Sequence, residues 1–412
     1  MQSFHVDPRI LPVVRRTVQE KPKFWRGAKQ LDAALGEVYV FAIPTGKMKL
    51  NCLLLFLSFT LVAFGQAKCA DSWKMETMLV SINGKFAEVK TAASDVIAYK
   101  NTDPQLAIEW GMIHGRNTVV LSGKYLISDR IDIPRPGVTL IISKDASIEL
   151  REDSQHTGIS FGSLRNPGYW QIVPLIYNQG HDNVRVIELG LMVHSIWDRK
   201  TSGKQTFPII FDGRNEEKTC EINGGMMLVT GASSQSFWLV DSKGVEVPMI
   251  TLDDGIDAVL VLEGSEDCKL GMITNLARTK GGVTGETVDL NSRSTGIEVE
   301  RLIGERSYEI IDCNESHAVV QEAVLVGEPR KLFGGGAGSG PRFTRRPSHK
   351  THSLDVKKTT IHKDVENVSL RKELPIFPSA LPKFDIKASV EVVLKDGSKK
   401  VYDKTATIDL RN

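Results

Sequence analysis

The segment 284–328 repeats itself, and this constrains the fold of the chain more than any other feature. Shifted by 23 residues, Glu286 falls on Glu309, Val288 on Ile311, Asp289 on Asp312 and Asn291 on Asn314. Further along, Leu302 falls on Leu325, Gly304 on Gly327 and Glu305 on Glu328. A unit of that length cannot bury a core of its own and must stack on its neighbours. Its apolar residues alternate in short runs: Val288 and Leu290, then Ile297 and Val299, then Leu302. That is the period of strands, not helices. Short strands separated by Gly, Ser, Asn and Thr predict one coil of a parallel β-helix per unit. Inward side chains of successive coils then form an apolar column, and outward ones form ladders.

The same line continues upstream with less regularity. "TLDDGIDAVLVLEGSEDCKLGMI", from Thr251, aligns Ile256 with Val288 and Asp257 with Asp289, with an insertion around "ARTKGGVTG". "HDNVRVIELGLMV" from His181, "SKGVEVPMI" from Ser242 and "GRNTVVLSGKYLISDRIDIPRPGVTLIISKDASIEL" from Gly115 read as strands of earlier coils. "TDPQLAIEWGMIHG" has the apolar spacing of a short helix before the first coil, where an open end needs a cap. The expected fold is therefore all-β: a parallel β-helix with a short N-terminal capping helix and a small C-terminal β-hairpin extension.

The expected organisation has five parts. Residues 48–67 read as a secretory signal peptide: lysines, an apolar stretch from Cys52 to Phe64, then small residues with cleavage after Ala67. The stretch is shorter than the ~20 apolar residues of a membrane span. Residues 1–47 precede Met48, a natural start, and read as a misassigned upstream extension. The competing reading is an uncleaved anchor with a short, basic cytoplasmic tail. Residues 68–333 form the β-helix domain. Residues 334–352, "GGGAGSGPRFTRRPSHKTH" with their Gly, Ser and basic residues, form a linker. Residues 353–412 form the β extension, in which "KASVEVVLKDGSKKVYDKTATIDL" is strand, Asp-Gly turn and strand. Too small to fold alone, the hairpin is expected to pack on the helix flank or its end.

A formal net charge of +2 gives no electrostatic argument for nucleic acid or an anionic membrane. None of the five cysteines forms a CxxC pair or a metal-ligand spacing. Cys313 stands where the preceding unit has Leu290, so it reads as a small apolar core residue.

"TVVLSGKYLISDRIDIPRPGVTLIISKDASIEL" resembles the first coils of right-handed β-helix proteins of the pectin-lyase-like superfamily. "DDGIDAVLVLEGSEDCKL" and "GETVDLNSRSTGIEV" are similar to the coils around a polygalacturonase active site. The resemblance implies a right-handed helix and a site near those coils, with Asp254 and Glu286 matching acidic positions of the motif. The chain departs from it in having no Gly-His-Gly, no Arg-Ile-Lys, and Thr287 in place of one paired aspartate. The pectin substrate is accordingly not carried over.

Stacking predicts two acid rows. Asp254, Glu286 and Glu309 precede the strand and are the candidate catalytic acids. Asp257, Asp289 and Asp312 lie on it, pointing outward, and are the candidate metal ligands for Ca²⁺. Strands ~4.8 Å apart bring such carboxylates into the range of glycoside hydrolysis or of calcium coordination. Arg278, Lys280 and Arg301 are the candidate clamps for an acidic substrate. His181, His194, His317 and Tyr308 read as surface or turn residues, and Tyr169, Trp170 and Trp197 as loop anchors or sugar-stacking platforms. The expected protein is a secreted or periplasmic monomer that cleaves an acidic polysaccharide, by hydrolysis or by calcium-assisted β-elimination. It binds no nucleic acid and is not inserted in a membrane after signal cleavage. The alternative is a non-catalytic β-helix that binds polysaccharide or a surface.

Overall fold

The computed structural model describes residue 74 and residues 76–411, except 152–158, 162–169, 173, 194–203, 206–207, 216–217, 220–221, 232–236, 254–257, 278–285, 292, 308–309, 314–315, 328–342, 345–352 and 378–381. The signal-peptide expectation for 48–67, the segment 1–47 and most of the linker lie outside the described residues.

The chain is strand-dominated and its strands collect in long parallel sheets. A twelve-stranded sheet, here the long sheet, begins with three antiparallel strands, Ile97–Asn101, Phe86–Thr91 and Thr77–Asn83. Nine parallel strands follow: Asn117–Val120, Thr139–Ile142, Arg185–Glu188, Met226–Val229, Glu246–Asp253, Lys269–Leu276, Ile297–Glu305, His317–Val326 and Ser353–His362. A second, all-parallel sheet of eight strands runs through Ile131–Asp132, Ile176–Tyr177, Ile209–Asp212, Phe237–Val240, Leu260–Glu263, Val288–Asn291, Ile311–Cys313 and Phe343–Thr344. The chain visits the two sheets alternately. A third parallel set, Gly123–Ile127, Ala146–Leu150 and Leu191–Val193, lies between them in sequence on the early passes. One apolar core takes side chains from all three sheets, among them Val120, Ile142, Ile148, Phe211, Leu239, Leu260, Val288 and Ile311.

The register of the second sheet is the register of the repeat. Val288 pairs with Ile311, Asp289 with Asp312 and Leu290 with Cys313. The long sheet differs: Leu302 pairs with Ala323 and Gly304 with Leu325, so the matches of Leu302 to Leu325 and of Gly304 to Gly327 are corrected by two residues. The cause is local. From Leu290 to Ile297 the chain takes two residues more than from Cys313 to Ala318, its partner in the next pass. A two-residue slip leaves the faces of a strand unchanged, so the apolar pattern still matched.

The helix Pro104–His114 precedes the first parallel pass. Asp103 caps it by accepting the Gln105 N–H, proline stands at the first turn, and Ala107, Ile108, Gly111 and Met112 are buried.

The C-terminal residues form a three-stranded antiparallel sheet, Val365–Glu373, Lys383–Leu394 and Lys399–Asp409. The last two are the expected hairpin, with Gly397 at φ +83° in its turn. Its inward row, Ile386, Ala388, Val390, Val392, Ala406 and Ile408, packs on Val119, Ile141, Ile187, Leu228, Met249 and Met272 of the long sheet. Those residues stand side by side in register on the face turned away from the inner core. The extension thus lies on the flank. Main-chain contacts fix its direction: Arg301 Nη1 donates to the Asp403 carbonyl, Arg185 Nη1 to that of Asp409 and Asn117 Nδ2 to that of Leu410. The strands of Arg301 and Arg185 are four spacings apart, ~19 Å, and Asp403 to Asp409 spans ~20 Å when extended. The last strand therefore crosses the long sheet almost at right angles to its strands. Being covered on both faces, the long sheet carries near-continuous apolar runs such as "TLII" and "MMLV" rather than strict alternation.

Candidate functional site

The outward side of the second sheet carries one continuous register row. It reads Asp132, Tyr177, Ile210, Trp238, Val261, Asp289, Asp312 and Thr344, each paired with the next. Alternation puts it opposite the core residues Ile176, Ile209, Phe237, Leu260, Val288 and Ile311. At one end the Arg130 guanidinium bonds Asp132 at 2.7 Å and lies 5.1 Å from the Tyr177 ring centroid. In the middle Ile210, Trp238 and Val240 form a separate small apolar cluster against Tyr177 and Val261, and Trp238 is only 9% exposed. The aromatic middle of the row is therefore covered. At the acidic end Asp289, with Glu263 and Asn291 in the parallel row beside it, is half-buried, while Asp312 is as covered as Trp238.

Asp289 and Asp312 are neighbours on adjacent strands ~4.8 Å apart. Asn291 donates to Asp289 Oδ2 at 2.8 Å and holds that side chain in place. Asp312 is more deeply buried, 7% exposed. Like charges directly opposite each other destabilise a sheet, so a proton, a cation or donors must offset the pair.

The third place of the expected aspartate row has another occupant. Leu260 pairs with Val288 and Val261 with Asp289, so Val261 holds the place assigned to Asp257. Extending that register backward puts Ala258 beside Glu286, the place assigned to Asp254; the Val259 N–H donates to the Glu286 carbonyl at 3.0 Å. The sequence alignment had slid by four residues. An even slip keeps inward residues inward, so the alternation of "IDAVLVLE" could not expose it. Asp254 and Asp257 themselves, with Arg278, Lys280 and Glu309, lie outside the described residues.

Glu286 is half-buried just before the strand Val288–Asn291, where its carbonyl also accepts from Asn275 Nδ2 at 3.3 Å. It stands three residues before Asp289 in the chain. Arg301 is elsewhere. It lies on the long sheet under the C-terminal hairpin, 2.8 Å from Glu322 Oε2, with its guanidinium 5.5 Å from the Tyr402 ring centroid. For this expected substrate clamp the contacts found are ones that dock the C-terminal sheet. Lys358 completes the ladder at 2.6 Å from Glu322 Oε1.

Among the described residues no group of three or more His, Cys, Asp and Glu is placed to hold a metal ion. Asp289 and Asp312 offer two carboxylates toward the 6–8 oxygens of calcium. Cys268 and Cys313 are buried free thiols. No helix among the described residues is long and apolar enough to cross a membrane.

Sequence reasoning missed the aromatic part of the row, Tyr177 and Trp238. The usable signal was the single residue between two core positions in each short strand, as in "FWLV". It was obscured because the intervening loops differ in length from pass to pass.

No protein-family model matches the chain, and comparison with curated proteins and with solved structures gives no match. What the fold and site define is a class: an all-β protein of long parallel sheets with a paired-carboxylate patch on an outward face.

Proposed function

We propose that the chain is a secreted, right-handed parallel β-helix that cleaves an acidic polysaccharide, with Asp289 and Asp312 as the reacting carboxylates and Glu286 at their border. The observation that carries this reading is the in-register pairing of Asp289 with Asp312 on the outward side of the second sheet. The alternation of the chain between stacked parallel sheets supports the β-helix, since crossovers between parallel strands are almost always right-handed. The helix Pro104–His114 then serves as the cap of the first coil.

Carboxyl groups ~5 Å apart suit glycoside hydrolysis with retention, in which one attacks the sugar and the other serves first as acid and then as base. Asp289, held by Asn291, is the nucleophile. Asp312, the more deeply buried of the two, is assigned the acid role. A site on the side of a stack leaves both polymer ends free, so cleavage falls inside the chain.

The test is a panel of acidic and neutral polysaccharides, scored for reducing ends and for unsaturated products. Internal cleavage lost in Asp289→Asn and Asp312→Asn supports the reading. Binding without cleavage by the parent protein would make it a non-catalytic binder. Calcium-dependent unsaturated products would make it a lyase.

A further inference from the structure

Glu188 ends the strand Arg185–Glu188 of the long sheet and points into the core. Its register partners are Ile142 and Val229, both in the inner apolar cluster, whereas Ile187 beside it faces the C-terminal sheet. It is fully buried. Its Oε2 accepts the Gly231 N–H at 3.1 Å, and its Oε1 has no hydrogen-bond partner. Nothing in the proposed chemistry uses it.

The surroundings of Oε1 are informative. A Cβ built on Gly231 would lie 1.7 Å from the Gly190 carbonyl oxygen and 2.0 Å from Glu188 Oε1. Two acceptor oxygens thus share one small space. A carboxylate and a carbonyl have only lone pairs to offer each other; a protonated carboxyl has a donor. The charged group that acts on Glu188 among the described residues is Lys372 of the C-terminal sheet, whose Nζ donates to the Thr230 carbonyl. A metal ion between the two oxygens would have to sit near that ammonium.

We propose that Glu188 is carried as a neutral carboxylic acid whose proton is donated to the Gly190 carbonyl, forming an internal pH-sensitive lock between two neighbouring passes. One carboxyl then makes two bonds: Oε1–H to Gly190, which follows its own strand, and Oε2 from Gly231, which follows the next strand, Met226–Val229. Burial pushes the Glu188 carboxyl from 4.5 up to about 8, against the weaker opposing pulls of the Gly231 N–H and Lys372. A raised folded value means that the stabilisation is fully present below the unfolded value of 4.5. It is lost as pH rises through about 8.

The test is the thermal midpoint of the full chain between acid and alkaline pH, for the parent and for Glu188→Gln. The glutamine amide donates to Gly190 and its oxygen accepts from Gly231, so both bonds remain without the titration. The parent is expected to lose roughly 5 °C relative to Glu188→Gln across that range and nothing further above it. Parallel curves would overturn the proposal. So would a midpoint that responds to calcium or to a chelator in the parent but not in Glu188→Gln, since a cation would then occupy the space. Should Glu188→Gln fail to fold, infrared spectroscopy of the parent decides: a protonated-carboxyl band persisting at neutral pH and vanishing near the raised value is expected, and no such band at neutral pH overturns it.

Discussion

Asp289 and Asp312 stand side by side on adjacent parallel strands, and the next residue along the same row is Val261. The pair is thus flanked on that row by Val261 and Thr344. In the acid role Asp312 carries the proton, so Asp312→Asn replaces a neutral carboxyl by a neutral amide of the same shape. It is expected to change stability by less than about 1 kcal/mol, while losing about 10²–10⁴ in turnover if the carboxyl is a reacting group. Denaturant unfolding and polysaccharide cleavage, run on the same preparation, check both halves. Loss of stability together with loss of activity would instead mean a structural role for Asp312.

Arg301 was expected at a substrate and is found under the hairpin, where it bonds Glu322 and the Asp403 carbonyl. Glu322 is almost fully buried and shares its charge between Arg301 and Lys358, so removing Arg301 leaves Lys358 as its one cationic partner among the described residues. Arg301→Met is expected to cost about 1–2 kcal/mol in denaturant unfolding and to leave polysaccharide affinity unchanged.

The same ladder sets an acid dependence. Burial pushes the Glu322 carboxyl up, but the bonds from Lys358 and Arg301 and their charges outweigh it and hold the group below the usual range. A depressed folded value gives stability that is present above the unfolded value of 4.5 and lost as pH falls through the folded one. In Arg301→Met the acid-side loss should begin at higher pH than in the parent. Thermal midpoints measured from pH 7 downward would reveal the shift.

What could be read in the sequence, and what could not, follows from how strand periodicity works. Val288 over Ile311 was legible because both short strands are bracketed in sequence by the same residue types, Glu286 and Asn291 in one and Glu309 and Asn314 in the other. The partner of Asp289 on the other side was not, because a slip of four residues between Ile256 and Leu260 preserves every inward position. Alternation fixes the face of a strand but not its register once the loops vary. The partners of Arg301 were hidden for a different reason. An arginine on the outer face of a strand looks solvated until the covering layer is known, and that layer is the C-terminal sheet, some 100 residues further on. The inward Glu188 sits in "VRVIELGL", where its position alternates with Val184 and Val186 and so could have been flagged as an acid in a core row.

Gly231 has no room for a side chain. A Cβ there would meet the Gly190 carbonyl oxygen at 1.7 Å, a backbone atom that cannot rotate away. Gly231→Ala is expected to cost at least ~3 kcal/mol, by pushing apart two passes that are joined through Glu188. Amide hydrogen exchange should show lost protection concentrated in the strands Arg185–Glu188 and Met226–Val229. Unchanged protection there would mean that the two corners are not closely packed in solution.

The C-terminal sheet offers the clearest separation of fold from site. Val390 is fully buried in the middle of the strand Lys383–Leu394 and belongs to the apolar layer that includes Ile187, Leu228 and Met249. Its neighbours along the strand, Ser389 and Glu391, face the other way and are half-buried. Val390→Asp places a carboxylate in that layer without a partner, at an expected cost of about 3–5 kcal/mol. The inner core, enclosed by the parallel sheets, does not include Val390. The first consequence should therefore be release of the C-terminal sheet rather than collapse of the stack. Limited proteolysis would then cut between His362 and Lys383 in the variant and not in the parent. Binding of a hydrophobic dye would rise as Val119, Ile141, Ile187, Leu228, Met249 and Met272 lose their cover, because a contiguous apolar patch of that kind is rare on a free surface. The carboxylate pair lies on the second sheet, away from this interface, so cleavage measured at low temperature should outlast release of the sheet. Loss of cleavage in step with release would show instead that the stack needs its C-terminal cover to hold Asp289 and Asp312 in register.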